Sequence, residues 1–196
     1  MFKKILLATH NQNKVKELKT MLSPYNIEVI SAADLELPDV EETGTTFTEN
    51  AILKAEALSE LSGLTCLADD SGLCVDALNG RPGVYSARYA PNRNFDIAMD
   101  NLLKELTESN STDRSAHFSC VLALKTPLHP CKTFEGRVDG HISFSKIGTN
   151  GFGFDPIFIP ENHTQTFGEM TPEQKANLSH RGRALAKFIK EVFNAE

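Results

Sequence analysis

Apolar positions along the chain recur with helical spacing in some stretches and form short continuous runs in others, and those changes mark its elements. The run in "KKILLAT" predicts a buried first strand, and "NKVKELKTMLS" a helix with Val15, Leu18, Met21 and Leu22 on one face. "IEVISA" predicts a second strand. A loop bearing proline and acids, "LELPDVEETG", leads to "TTFTENAILKAEALSEL". That segment opens on a capping box from Thr46 to Glu49 and carries Phe47, Ala51, Ala55 and Leu58 as a helical stripe. "LTCLA" predicts a third strand that ends at the adjacent carboxylates Asp69 and Asp70.

Beyond it, "ALNGRPGVYSARYA" is turn-rich and irregular, broken by Asn79-Gly80 and Pro82-Gly83. "NFDIAMDNLLKELTE" predicts an amphipathic helix with Phe95, Met99, Leu102, Leu103 and Leu106 inward. "HFSCVLALKT" predicts a strong strand and "KTFEGRVDGHISF" a more exposed one. "GTNGFGFDPIFIP" reads as a glycine-rich loop running into a short strand. A last helix starts near Ser179, with Leu185, Phe188, Ile189 and Val192 as its core face. Strands interleaved with helices predict an α/β fold, a mixed central sheet flanked by helices.

Length and charge narrow the function classes. The chain fits one domain, 1–196, large enough to bury a real core. A net charge of −6 argues against a nucleic-acid partner, but not against a small anionic ligand met by local lysines and arginines. The four cysteines form no C-x-x-C pair and lie on or beside apolar runs, as free thiols of a reducing compartment do. The apolar run after Lys3 and Lys4 is too short for a signal peptide, and no segment spans a bilayer. These features predict a cytoplasmic protein with no membrane partner.

Candidate chemistry collects in four places. In "ATHNQNK", a strand-to-helix turn offers backbone N–H groups to an anion beside Thr9, Asn11 and Lys14. It lacks the glycines of a phosphate-binding P-loop, and Asn residues tolerant of unusual backbone angles account for it equally well. Asn50 and Lys54 share one helical edge, with Glu42 in the loop before; alone they read as a solvated face. Asp69 and Asp70 repel one another unless a cation joins them, and neighbours on a strand point to opposite faces, so the two can serve different tasks; the alternative is an Asx-turn with one structural and one solvated aspartate. His180 and Arg181 occupy the first turn of the last helix, where positive charge opposes the helix dipole unless an anion or polar ligand offsets it, or Arg181 pairs with an acid elsewhere in the chain. "GFGFDP" adds two aromatics that fit either a base-stacking platform or the core. Lysines for phosphates, carboxylates for a metal, and aromatics and donors for a base together describe a nucleotide site.

The segments "ATHNQNKVKEL", "EETGTTFTENAILKA", "ADDSGLCVDALNGRPGVYSARYA", "GTNGFGFDPIF" and "QKANLSHRGRAL" together resemble the inosine triphosphate pyrophosphatases, in order and over nearly the whole chain. The resemblance implies two lobes with an active-site cleft between them, a homodimer, and Mg2+-dependent hydrolysis of dITP, ITP and XTP to the monophosphate and pyrophosphate. It assigns Thr9, His10, Asn11, Gln12, Asn13 and Lys14 to the triphosphate, with Lys54 nearby. Glu42 and Asp70 would bind metal, Asp70 also matches the general base, Asp69 supports that site, and Ser71 contacts substrate. Phe152, Gly153, Phe154 and Asp155 would hold the base, joined by Lys175, His180 and Arg181. The family commonly has glycine where this chain has His10 and Asn13, which implies altered affinity rather than lost activity. The alternatives are a Maf-like nucleotide pyrophosphatase of other specificity and a non-catalytic nucleotide-binding protein. The acidic set Glu42, Asp69 and Asp70 speaks against the second.

Overall fold

The computed structural model describes residues 3–193. Its strands are β1 (Lys4–Leu7), β2 (Glu28–Ser31), β3 (Cys66–Val75), β4 (Ser115–Lys125), β5 (Lys132–Ile142) and β6 (Phe158–Pro160). They form one sheet in the order β2-β1-β3-β4-β5-β6. β1 runs parallel to β2 and β3, whereas β5 and β6 are antiparallel, so the sheet is mixed as the sequence predicts. The helices are α1 (Gln12–Leu22), α2 (Phe47–Ser62), α3 (Phe95–Glu108), α4 (Pro172–Leu178) and α5 (His180–Val192).

The chain divides into two compact units, one of Met1–Asp70, Cys120–Gly136 and Arg181–Glu196, the other of Ser71–Ser119 and Arg137–His180. In the first unit, strand alternation splits the apolar residues between two cores. Ile5, Leu7 and Leu67 pack with Val15, Leu18 and Leu22 of α1 and with Ala184, Leu185 and Phe188 of α5. The intervening Leu6, Ala8, Cys66 and Ala68 pack instead with Ala51, Ala55 and Leu58 of α2. Each fully buried leucine here contributes about 1.5–3 kcal/mol. In the second unit Met99, Leu102 and Leu106 of α3 cover Leu73, Val75, Phe118, Val138 and Ile142, with Phe154, Phe158 and Phe167 in the same core.

α2 starts as its sequence predicts: the Thr46 side chain accepts from the Glu49 N–H, and the Glu49 carboxylate accepts from the Thr46 N–H. Thr46→Ala is expected to cost about 1 kcal/mol of stability, read from the urea midpoint; an unchanged midpoint would show the cap to be redundant.

Two elements depart from expectation. β3 does not stop at the aspartates but continues through them to Val75. The Asp-Asp-Ser-Gly run resembles a turn because charge and glycine disfavour strands, yet other elements meet both demands. Lysines and an arginine pair the carboxylates, and Gly72 makes room for a close neighbour: a Cβ there would lie 2.4 Å from Ser86 Oγ and from Gly83 O. The last helix begins at His180, as expected near Ser179, but a short helix that was not expected, α4, precedes it. α4 has its own capping box, Thr171 with Gln174, and proline at its start; Ser179 then breaks the path with φ −68° and ψ 158° before α5 begins at His180.

Candidate active site

Alternation along β3 sends Asp69 toward the face covered by α1 and α5, and Asp70 toward the face covered by α2. Both are almost wholly buried, at 1% and 4% exposed, so each must find partners.

Asp69 is enclosed by cations. Its Oδ1 accepts from Lys14 Nζ at 2.5 Å and its Oδ2 from Arg181 Nε at 2.7 Å, while Cys120 Sγ donates to Oδ2 at 3.3 Å. Burial alone would push this carboxyl up, but Arg181 and Lys14 hold it well below its ordinary value. Arg181, 1% exposed, also donates through Nη1 to Glu17 Oε2 at 2.6 Å. The cationic first turn of α5 is thus offset by two acids, and the guanidinium expected at the base is engaged with Asp69 and Glu17.

Asp70 has a different environment. Lys54 Nζ donates to Asp70 Oδ1 at 3.0 Å, to the Asp69 carbonyl at 3.0 Å and to Glu42 Oε1 at 2.6 Å. Lys54 is therefore no solvated residue, as its helical edge alone suggests, but a buried bridge between two carboxylates. Burial disfavours its ammonium, yet Asp70 and Glu42 more than compensate and raise its pKa. For Asp70 burial dominates, helped by the Glu42 charge and opposed by Lys54 and Lys14, and lifts the carboxyl from 3.8 to about 6. Its second oxygen, Oδ2, is buried and has no hydrogen-bond partner.

That orphaned anionic oxygen, with the Glu42 carboxylate on the same lysine, could take a divalent cation. Among the described residues no group of three or more His, Cys, Asp or Glu could form an all-protein metal cage. Mg2+ does not need one, since it takes one or two carboxylates and fills its remaining positions with phosphate oxygens and water. Glu42, Asp70, Asp69 and Glu17 set against Lys14, Lys54 and Arg181 leave this cluster with a net negative charge. A polyphosphate chain needs additional positive charge to enter such a cluster, which Mg2+ would supply.

The turn before α1 is more structural than expected. Asn11 Oδ1 caps the helix by accepting from the N–H groups of Asn13 and Lys14, and Thr9 Oγ1 accepts from the Asn11 N–H. Gln12 and Asn13 are exposed. His10 takes a path of its own: its Nε2 lies 2.9 Å from the Leu37 carbonyl, tying the turn to the loop that carries Glu42.

In the second unit the glycine-rich loop folds around Asp155. Gly151 sits at φ +72°, and a Cβ there would come within 2.0 Å of Asp155 Oδ2. The same oxygen accepts from the Phe152 N–H at 2.7 Å and from Lys175 Nζ at 2.6 Å. The Lys175 ammonium also stands 4.7 Å from the Phe152 ring centroid, over its face. Gly153 has φ +69° and borders the Phe95 ring. Phe154 is not a platform for a base: it is 2% exposed and packs edge-on against Tyr89 and Phe95 in the core. Phe152, half-buried, keeps that possibility. His180 lies parallel to Phe118 with 4.7 Å between centroids, and Ser71 is half-buried after Asp70 on β3.

The sequence reading missed Glu17 and Cys120 as partners of this cluster, and placed Asn50 only on a solvated edge. Glu17 alone carried a signal, three positions after Lys14 on the same helical edge.

The profile of the Ham1 family matches residues 5–191. The chain belongs to the Ham1 family. This Ham1 chain is 48% identical over 192 residues to the dITP/XTP pyrophosphatase of Caulobacter vibrioides, covering 97% of this chain and 98% of that protein. It is 45% identical over 192 residues to the Bacillus subtilis protein of the same name, with 97% of each covered. The solved structure of the Staphylococcus aureus Ham1 protein superposes with a TM-score of 0.88 at 42% identity, covering 99% of this chain and 100% of that one. The Ham1 protein from Coxiella burnetii gives 0.89 at 40% identity, with 99% and 100% covered. The resemblance carried by five separated segments and the α/β fold with a mixed sheet are both borne out. Among the described residues no helix is long and apolar enough to cross a membrane.

Proposed function

We propose that this Ham1 chain is a nucleoside triphosphate pyrophosphohydrolase that cleaves dITP, ITP and XTP to the monophosphate and pyrophosphate. The observation that carries the reading is the Glu42–Lys54–Asp70 bridge with Asp70 Oδ2 left unpartnered. A fully satisfied structural ion pair would leave no anionic oxygen buried and idle. The names of its relatives from Caulobacter vibrioides and Bacillus subtilis support the substrate class.

In this reading water attacks the α-phosphorus and pyrophosphate departs. Asp70 accepts the water proton; without the metal its carboxyl, raised to about 6, is a stronger base than an ordinary aspartate and still largely ionised at neutral pH, and a bound cation would keep it ionised. Lys54 holds Asp70 through Oδ1, which leaves the lone pairs of Oδ2 for the metal and for the water proton alike. Lys14 and Lys54 place positive charge beside phosphate oxygens. Mg2+, held by Glu42 and Asp70, would neutralise charge on the phosphate oxygens as the bond to the leaving group breaks. Recognition of the base is assigned to Phe152, Lys175 and His180. A donor that pairs with a purine O6 faces the amino group of adenine unpaired, and such a buried mismatch discriminates strongly. The resemblance adds a homodimer in the cytoplasm.

Incubation with dITP, ITP, XTP, dUTP and TTP in the presence of Mg2+, with products resolved, tests the reading. The expected products are the purine monophosphates and pyrophosphate. Orthophosphate with a diphosphate would contradict it, as would preference for dUTP or TTP.

A further inference from the structure

Asn50 on α2 is 0% exposed, yet its amide makes only half of its possible bonds. Oδ1 accepts from the Gly44 N–H at 2.8 Å, whereas Nδ2 is buried without a partner. The orientation of the amide is fixed by chemistry: a backbone N–H only donates, so the oxygen must face Gly44. An amide buried at the cost of an idle donor is kept for its acceptor. The loop meets the helix closely there, since a Cβ at Gly44 would lie 2.7 Å from Asn50 Oδ1 and 2.7 Å from Glu49 Cβ. Gly44 follows Glu42 by two residues, and Lys54 follows Asn50 by one helical turn. The bond from Gly44 to Asn50 thus sets where Glu42 meets Lys54, at 2.6 Å.

We propose that Asn50 is a positioning residue for the reaction, fixing the loop that carries Glu42 against α2 so that Glu42, Lys54 and Asp70 share one geometry. The inference rests on the function proposed above. It differs from the capping box next door, which orders the helix start through Thr46 and Glu49 and does not reach Lys54.

The test compares Asn50→Ala and Gly44→Ala with the wild type, using dITP and Mg2+, at a temperature where circular dichroism shows all three folded. Both variants are expected to lose roughly 10–100-fold in kcat, as misplacement of a catalytic group does. Their KM should change by less than about threefold, because Lys14 and the groups assigned to the base are untouched. Combining them should cost no more than the worse single change. Hydrogen exchange at the Gly44 amide, protected in the wild type and fast in Asn50→Ala, reads the bond whatever the substrate. If kcat stays within about twofold while the melting temperature falls, Asn50 is a scaffold residue and the proposal is overturned. Failure of both variants to fold overturns it as well. A wild type inactive on dITP and XTP would instead bring down the functional reading itself.

Discussion

Asp70→Asn is expected to lower kcat by about 10²–10⁴-fold, the range a lost general base commands, without lowering thermal stability. The two halves of this expectation come from one observation. Burial raises the Asp70 pKa from 3.8 to about 6, so the fold prefers its neutral form. A carboxyl raised in this way contributes stability that is complete below its unfolded value and is lost as pH rises through about 6. An amide at this position never ionises and escapes that loss, and Lys54 keeps Glu42 as its partner at 2.6 Å. Above pH 6 the variant should therefore melt at or above the wild-type temperature. In the metal-free wild type, carboxyl carbon NMR should show Asp70 titrating near 6. A variant that keeps more than a tenth of wild-type kcat, or that melts well below it, would remove Asp70 from the role of base.

Asp69→Asn, one residue away, should give the opposite pattern. Its carboxylate answers Lys14 and Arg181 in a site 1% exposed, and the amide removes the counter-charge these two cations share, leaving Arg181 paired with Glu17. Removing one partner of such a buried cluster costs about 3–5 kcal/mol. For a chain of this length that is a fall in melting temperature of roughly 6–20 °C. The pH dependence inverts too. Because the folded pKa lies well below 3.8, Asp69 contributes stability that is present above the unfolded value and lost as pH falls through the folded one. Wild type should lose its advantage over the variant on acidification, which denaturant titrations at neutral pH and below pH 4 would show. Equal midpoints at neutral pH would mean that the two cations find other partners.

Residues close in sequence or set by local rules were legible before the structure. The amphipathic stripes of α1, α2, α3 and α5, the Thr46 cap and the run of β1 needed only periodicity. α4 was legible in principle, since Thr171-Pro-Glu-Gln174 has the spacing of a capping box with proline in its first turn, but seven residues carry too little periodicity to stand out. The extent of β3 was not, because what allows two carboxylates mid-strand is the arrival of Lys14, Lys54 and Arg181 from segments far apart in the chain. The same distance hid the engagement of Arg181, whose partners lie 112 and 164 residues away. For Phe154, an aromatic between glycines fits a loop platform and a core residue alike, and only packing separates them.

The two aspartates of β3 share a chemical formula but not an address. Which one faces Lys54 and which faces Arg181 is decided by parity along the strand. One residue gained or lost between Cys66 and Asp70 would turn every following side chain to the other face. The enzyme thus tolerates a conservative exchange at Leu67 or Ala68 better than the insertion or deletion of a single codon there, which would trade the two carboxylates between faces.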